Sequence, residues 1–288
     1  MITRLQELID LAQSNSSIRV AVAAAAHKLV LESIQRAVGL GFIVPVLVGR
    51  EDDIRAEAAA IDWDLDGVRI VPTPTNKAAA TAAVQLVRRG EAEVLMKGYL
   101  HTDEMLRAVL ASDTGLRTDR LLSHVFVLEV PTYHKLLLIT DAAININPGI
   151  IEKAAITQNA VDLAQKLGAG QVKVAALSSV ETVNPNIPST VAAACLSKMA
   201  ERGQIRGAIV DGPLAFDNAI SATAARDKGI VSPVSGDADV VVAPDLDSGN
   251  ILSKNLEYLA QAKVAGIVMG AAAPVVLTSR SDPPRARV

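Results

Sequence analysis

The feature that most limits what this chain can fold into is its steady alternation of short, unbroken apolar runs with longer stretches of helical spacing. Runs such as Arg19–Ala23, Val44–Val48, Val94–Lys97, His124–Glu129, Leu136–Thr140, Lys173–Leu177, Val240–Val242 and Pro274–Leu277 are apolar almost throughout instead of every second residue. A strand of that kind has no face to offer water, so both of its faces must be covered. The covering elements lie between the runs, as helical patterns at Asn76–Arg89, Ile150–Leu167, Pro188–Arg202 and Asn250–Ala262. The pattern predicts an α/β architecture built on doubly wound, mostly parallel sheets.

Half of the 288 residues are hydrophobic but only 2% are aromatic. The core must therefore be assembled from small and branched aliphatics in closely apposed layers. Helix starts are marked by Thr102 ahead of Asp103 and Glu104, by Asn147-Pro148, and by Asn186 ahead of Pro188. No linker or low-complexity segment marks a domain boundary, and the best break in the pattern is "EVPTYHK", Glu129–Lys135, just before Leu136.

Several function classes fall away. A net charge of −3 without like-charge blocks argues against a nucleic-acid partner, whose phosphates would call for a basic field. The apolar runs are too short to span a bilayer, and the N-terminus lacks the apolar stretch of a signal peptide, so a soluble cytoplasmic protein is expected. The single Cys195 sits in an apolar helical pattern and reads as a buried, inert thiol in a reducing compartment. Neither a phosphate-binding P-loop nor a G-x-G-x-x-G turn is present. His27, His101, His124 and His134 have no metal-type spacing; His27 fits a helix face, and only His124, beside Ser123, suggests a site role.

Ligands of parallel α/β proteins gather beyond the carboxyl ends of strands. There the sequence repeatedly places an acid, hydroxyl or arginine beside a turn residue. "KGYLHTDEMLRAVL" carries Arg107, and "GLRTDRLLSHVF" carries Arg117, Arg120, Ser123 and His124. "LLLITDAAININPG" ends a run on Asp141, "LSSVETVNPNIPST" on Ser178 and Ser179 with Glu181 behind, and "DGPLAFDNAIS" on Asp211 with Asp217 and Asn218 following. "PVVLTSRSD" ends the last run on Ser279 and Arg280. Any one of these is ordinary turn chemistry. Together, and with arginines whose planar fork pairs with phosphate, they suit an anionic substrate.

These segments, with "SATAARDKGIVSPVSG", resemble the phosphate acetyl/butyryltransferase family over nearly the whole chain, about Val20 to Asp282. The likeness is greatest to phosphate butyryltransferases and to the transferase half of fusions with enoyl-CoA hydratase. It implies the reaction acyl-CoA + phosphate ⇌ acyl phosphate + CoA on a short acyl group, without metal or redox cofactor, in a homodimer. It also implies two α/β domains arranged as in isocitrate and isopropylmalate dehydrogenases, with the site in the cleft between them. The first domain would cover residues 1–137 plus 278–288, the second 138–277. By the same resemblance Ser279 and Arg280 are catalytic, with Arg280 on the phosphate or oxyanion charge and Ser279 hydrogen-bonding the thiol or oxyanion. Asp282 would be the thiol base. Arg107, or else Arg117 or Arg120, would hold phosphate; Ser123, His124, Asp141, Ser178, Asp211 and Asp217 would complete the substrate-binding set. Pro283 and Pro284 discourage a helix where members of the family continue into one. Two rival readings remain: a dehydrogenase on the same fold, and a CoA-binding scaffold with impaired catalysis.

Overall fold

The computed structural model of the chain describes residues 2–277. It divides into two compact units. The N-terminal unit is Leu8–Arg120 together with Gly266–Leu277, and the central unit is Leu121–Ala265 together with the segment ending at Glu7.

Helix α1 (Leu5–Gln13) carries the chain from the central unit into the N-terminal one. There follow β1 (Ile18–Ala23), α2 (Lys28–Gly39), β2 (Ile43–Gly49), α3 (Glu51–Ala59), β3 (Arg69–Pro72), α4 (Asn76–Arg88), β4 (Val94–Lys97) and α5 (Thr102–Val109). The central unit holds β5 (Ser123–Glu129), β6 (Leu137–Thr140), α6 (Ile150–Lys166), β7 (Val172–Leu177), α7 (Pro188–Glu201), β8 (Ala208–Leu214), α8 (Phe216–Ile220), α9 (Ala222–Asp227), β9 (Val240–Val242) and α10 (Leu246–Tyr258). The chain then passes back through β10 (Lys263–Met269) to β11 (Val275–Leu277).

In the N-terminal unit the strand order is β3-β2-β1-β4-β11-β10, with only the β10–β11 pair antiparallel. Val22 and Ala23 of β1 are wholly buried, and Leu31, Ile34, Leu47 and Ile54 pack against the strand in one aliphatic cluster. Burial of each such side chain contributes about 1.5–3 kcal/mol, and these aliphatics do what aromatics do elsewhere. Pro45 is tolerated inside β2 because β3 begins to pair only at Val46. Edge strand β3 is short, half-buried and guarded by an Arg69–Glu91 pair at 2.7 Å.

The central unit orders its strands β5-β6-β9-β7-β8, with β5 antiparallel to β6 and the rest parallel. "EVPTYHK" is the hairpin connecting β5 to β6 and lies wholly within this unit. Tyr133 turns inward from it, donates to Ala238 O at 2.8 Å and joins the core with Leu137, Ile139 and Val241. The chain therefore changes units at Arg120/Leu121, ahead of the 137/138 position expected from the sequence. Residues Gly266–Leu277, expected in the second domain, belong with the N-terminal unit.

Local starts differ by a few residues for identifiable reasons. Helix α5 is capped at His101, one residue before Thr102, because Glu104 reaches back to the His101 N–H at 3.4 Å. Helix α10 starts at Leu246 because Asp245 accepts the Ser248 N–H at 2.8 Å, so "DLDSGN" is helical first turn and not loop. Strand β8 runs on through Asp211-Gly212-Pro213. Cys195 is half-buried in α7, short of the full burial its apolar neighbours suggest.

Candidate active site

At the carboxyl edge of the N-terminal unit, β1, β4 and β11 end side by side. β4 and β11 run parallel with Leu277 opposite Lys97, so the chain leaves β11 where β4 gives way to Gly98. Gly98 donates to Ala23 O and Tyr99 to Ala24 O, each at 2.8 Å. A Cβ on Gly98 would stand 2.4 Å from Ala24 O and 2.5 Å from Ala23 O, so only glycine permits this approach. The Lys97 side chain is buried, and its Nζ donates to Leu100 O at 3.3 Å, bracing the turn into α5.

His27 sits beside that turn. It caps α2, with Nδ1 accepting the Leu29 N–H at 3.3 Å, and its ring stacks on Tyr99 at 3.9 Å between centroids, 10° from parallel. This is a cap at the strand end, not the helix-face position read from sequence. A cavity of about 250 Å³ opens there, lined in part by Gly49, Arg50, Thr75, Asn76 and Tyr99. Arg107 projects from α5 into solvent, paired with Asp103. The hydrogen bond from Arg107 holds the Asp103 carboxyl below its usual range. Ser279, Arg280 and Asp282 lie outside the described residues, a few positions beyond Leu277.

The other two arginines are placed differently. Arg117 is exposed and lines a cavity of about 580 Å³ with Arg88, Asp113, Glu93 and Pro274. Those neighbours precede β4 and β11, so Arg117 stands at the amino edge, opposite the end where Arg107 follows Lys97. The Arg120 N–H donates to Thr118 Oγ1 at 3.0 Å, and Thr118 in turn donates to Gly270 O at 2.6 Å.

Within the central unit, Ser123, His124 and Asp141 form one buried group. Ser123 Oγ accepts from Asn159 at 2.8 Å. Asp141 accepts the N–H groups of Ala143, Ile144 and Asn145 at 2.9–3.2 Å and the Asn145 side-chain amide at 2.5 Å. That carboxylate organises its own loop. His124 packs edge-on to Phe126 at 4.4 Å, and its Nδ1 has no hydrogen-bond partner among the described residues. Burial pushes its imidazole down to about 4 against the opposing pull of the Asp141 carboxylate. It is a neutral core histidine at pH 7.

Ser178 follows directly on β7 and shares a hydrogen bond with Ser189 at 2.8 Å. Both line a cavity of about 880 Å³ at the carboxyl edge of β7 and β9. Asp211 accepts the N–H of Gly212 at 2.8 Å inside β8. Asp217 and Glu181 share Lys228, with Asp217 at 2.9 Å, and the buried Asn218 donates to Glu181 at 2.6 Å. These bonds depress both carboxyls and raise the Lys228 ammonium.

Sequence reasoning missed the charge cluster at the amino edge of this unit. Lys135 bridges Asp237 at 2.9 Å and Asp239 at 2.6 Å, while Lys173 and His134 also bond Asp237. Burial works to raise the Asp237 carboxyl, but bonds from Lys173, Lys135 and His134 outweigh it and hold the group far below its usual range. Its members lie in three segments up to a hundred residues apart, and only the strand order brings them together. Among the described residues no group of three or more His, Cys, Asp or Glu converges as metal ligands do.

Comparison with known proteins gives one consistent result. The model of the phosphate acetyl/butaryl transferase family matches residues 72–286. A phosphate acetyltransferase of Rhizobium meliloti is 55% identical over 249 residues, 86% of this chain and 79% of that protein. A phosphate butyryltransferase of Clostridium acetobutylicum is 44% identical over 282 residues, 98% of this chain and 94% of that protein. Among solved structures, a branched-chain phosphotransacylase from Enterococcus faecalis V583 superposes with a TM-score of 0.84 at 34% identity, covering 94% of this chain and 95% of that one. A 4-hydroxythreonine-4-phosphate dehydrogenase from Burkholderia phymatum, 13% identical with a TM-score of 0.52, covers 95% of this chain and 94% of its own, and shares the fold alone.

Proposed function

The chain belongs to the phosphate acetyl/butyryltransferase family, and on that premise we propose that it interconverts acyl-CoA and phosphate with acyl phosphate and CoA at the carboxyl edge of the N-terminal unit. The observation that carries the placement is the register of β11 on β4. It brings the end of the last strand to the turn that opens α5, the helix bearing Arg107.

In the direction of acyl-CoA formation, the CoA thiol loses its proton, attacks the acyl carbon and expels phosphate. Asp282 takes the proton. Arg280 meets the negative charge that grows on the carbonyl oxygen and on the leaving phosphate, and Ser279 donates a hydrogen bond to the same oxygen. Arg107 holds the phosphate. Its present partner competes weakly, because solvent screens both exposed members of the Arg107–Asp103 pair, so a phosphate dianion readily takes the guanidinium from Asp103. The main contribution of the site is then to place thiol, acyl carbon and phosphate in line.

The same reading has the enzyme work in the cytoplasm as a homodimer and turn over without metal or redox cofactor. Among the described residues no helix is long and apolar enough to cross a membrane. The test is acyl phosphate formation from acetyl-, propionyl- and butyryl-CoA by chelator-treated protein. Turnover that survives chelation and requires phosphate supports the proposal, and CoA binding without turnover would instead favour the scaffold reading.

A further inference from the structure

The cavity of about 880 Å³ in the central unit has no part in the mechanism above, yet a lysine lines it. Three helices of 13 to 17 residues begin at its wall: α6 after Gly149, α7 at Pro188 and α10 after Asp245. Lys153, in the first turn of α6, lines the cavity and is only 8% exposed. Among the described residues its ammonium makes no hydrogen bond or ion pair.

The nearby acids are already engaged. Glu152 accepts the Gly149 N–H at 2.6 Å, and Asp245 accepts the Ser248 N–H at 2.8 Å, so each caps its own helix. Helix α7 differs, having neither an acid in its first turn nor a side-chain cap. Pro188 has no N–H and the Thr190 N–H is taken by Ile187 O at 2.9 Å, so the donors left for an oxyanion are the Ser189 N–H and the one hydroxyl that the Ser178–Ser189 pair does not use internally. Leu177, Pro188, Val191 and Pro244 give the same cavity an apolar wall. A cation in the first turn of a helix also faces the positive end of the helix dipole. Burial lowers the Lys153 ammonium from its ordinary range, while Asp245 and Glu152 pull the other way without cancelling the effect. Only the neutral form of such an amine attacks an acyl group, and burial favours that form.

We propose that Lys153 is a self-acylation site, at which an acyl phosphate seats its phosphoryl group on the α7 N-terminus and transfers its acyl group to Nζ. The supply of that donor rests on the function proposed above. The neutral nitrogen attacks the acyl carbon, the C–N bond forms, and the C–O bond to phosphate breaks with its electron pair leaving on phosphate. The nitrogen then gives up a proton to the Asp245 carboxylate or to solvent, leaving a neutral amide.

The test incubates the full-length protein with synthetic acetyl phosphate, without CoA, and follows acetyl occupancy of each lysine by peptide mass spectrometry. Lys153 is expected to label about tenfold or more faster than the exposed Lys28 and Lys166, as donor and amine share one cavity. Excess inorganic phosphate should slow labelling at Lys153 and leave Lys28 unaffected. Labelling of Lys153 no faster than the exposed lysines overturns the proposal, and so does labelling indifferent to phosphate. CoA-dependent turnover, measured in parallel and expected unchanged in Lys153→Arg, shows separately whether the transferase assignment stands.

Discussion

The buried imidazole of His124 makes the central unit sensitive to mild acid, in a pH window where carboxylates contribute little. Its folded-state value of about 4 lies below the ordinary value of 6.5, so the folded protein binds fewer protons than the unfolded chain between those limits. Stability from this group is therefore full above about pH 6.5 and is lost as the pH falls toward 4. The complete difference, at about 1.4 kcal/mol per pH unit, is on the order of 3 kcal/mol, and the part lost between pH 7 and pH 5 is roughly 2 kcal/mol. The assay is urea unfolding followed by circular dichroism at the two pH values, in the wild type and in His124→Gln. The only tryptophan, Trp63, lies in the N-terminal unit, so its fluorescence alone would miss the effect. Whatever the variant's stability at pH 7, its loss on going to pH 5 should be smaller than the wild type's by roughly 2 kcal/mol. Equal losses in the two proteins would refute a neutral buried histidine.

Other substitutions separate structural from chemical roles. Gly98→Ala forces a Cβ to within 2.4 Å of Ala24 O, so a stability loss on the order of 1–3 kcal/mol with a fall in turnover is expected from calorimetry and rate assays. Arg107→Ala should leave urea stability within about 0.5 kcal/mol of wild type while cutting phosphate-dependent turnover about a hundredfold. Lys135→Met removes the cation 2.6 Å from Asp239, 5% exposed, and leaves it the Lys173 N–H at 2.7 Å, so chemical unfolding should show a loss of about 3 kcal/mol.

The inner strands β1, β4, β6, β7 and β9 were legible because each is an apolar run buried along most of its length, and covered strands tolerate little else. The unit boundary was not. "EVPTYHK" has the composition of a linker, but Tyr133 anchors it to Ala238, a contact over a hundred residues away that no local pattern announces. The candidate site divides along the same line. The position of Arg107 at the carboxyl edge was readable because a strand end, a glycine and a helix start follow one another in the chain. Arg117 falls in an equally suggestive loop, and only the position of Pro274 and Glu93 beside it shows that it faces the other edge. Ser123, His124 and Asp141 look like site residues because polar groups at strand ends usually meet water; here all three are buried, Ser123 bonded to Asn159 and Asp141 to the backbone amides of residues 143–145. Lys153 escaped notice since a lysine in a helical pattern normally points to solvent, and its burial depends on where α7 and α10 begin.

The most direct trial of the central claim is phosphate-dependent CoA release from short-chain acyl-CoA by wild-type protein and by Arg280→Ala. Loss of a cation that stabilises transition-state charge should lower the rate on the order of a hundredfold or more. A near-normal rate in that variant would contradict the placement of the chemistry beyond the end of β11.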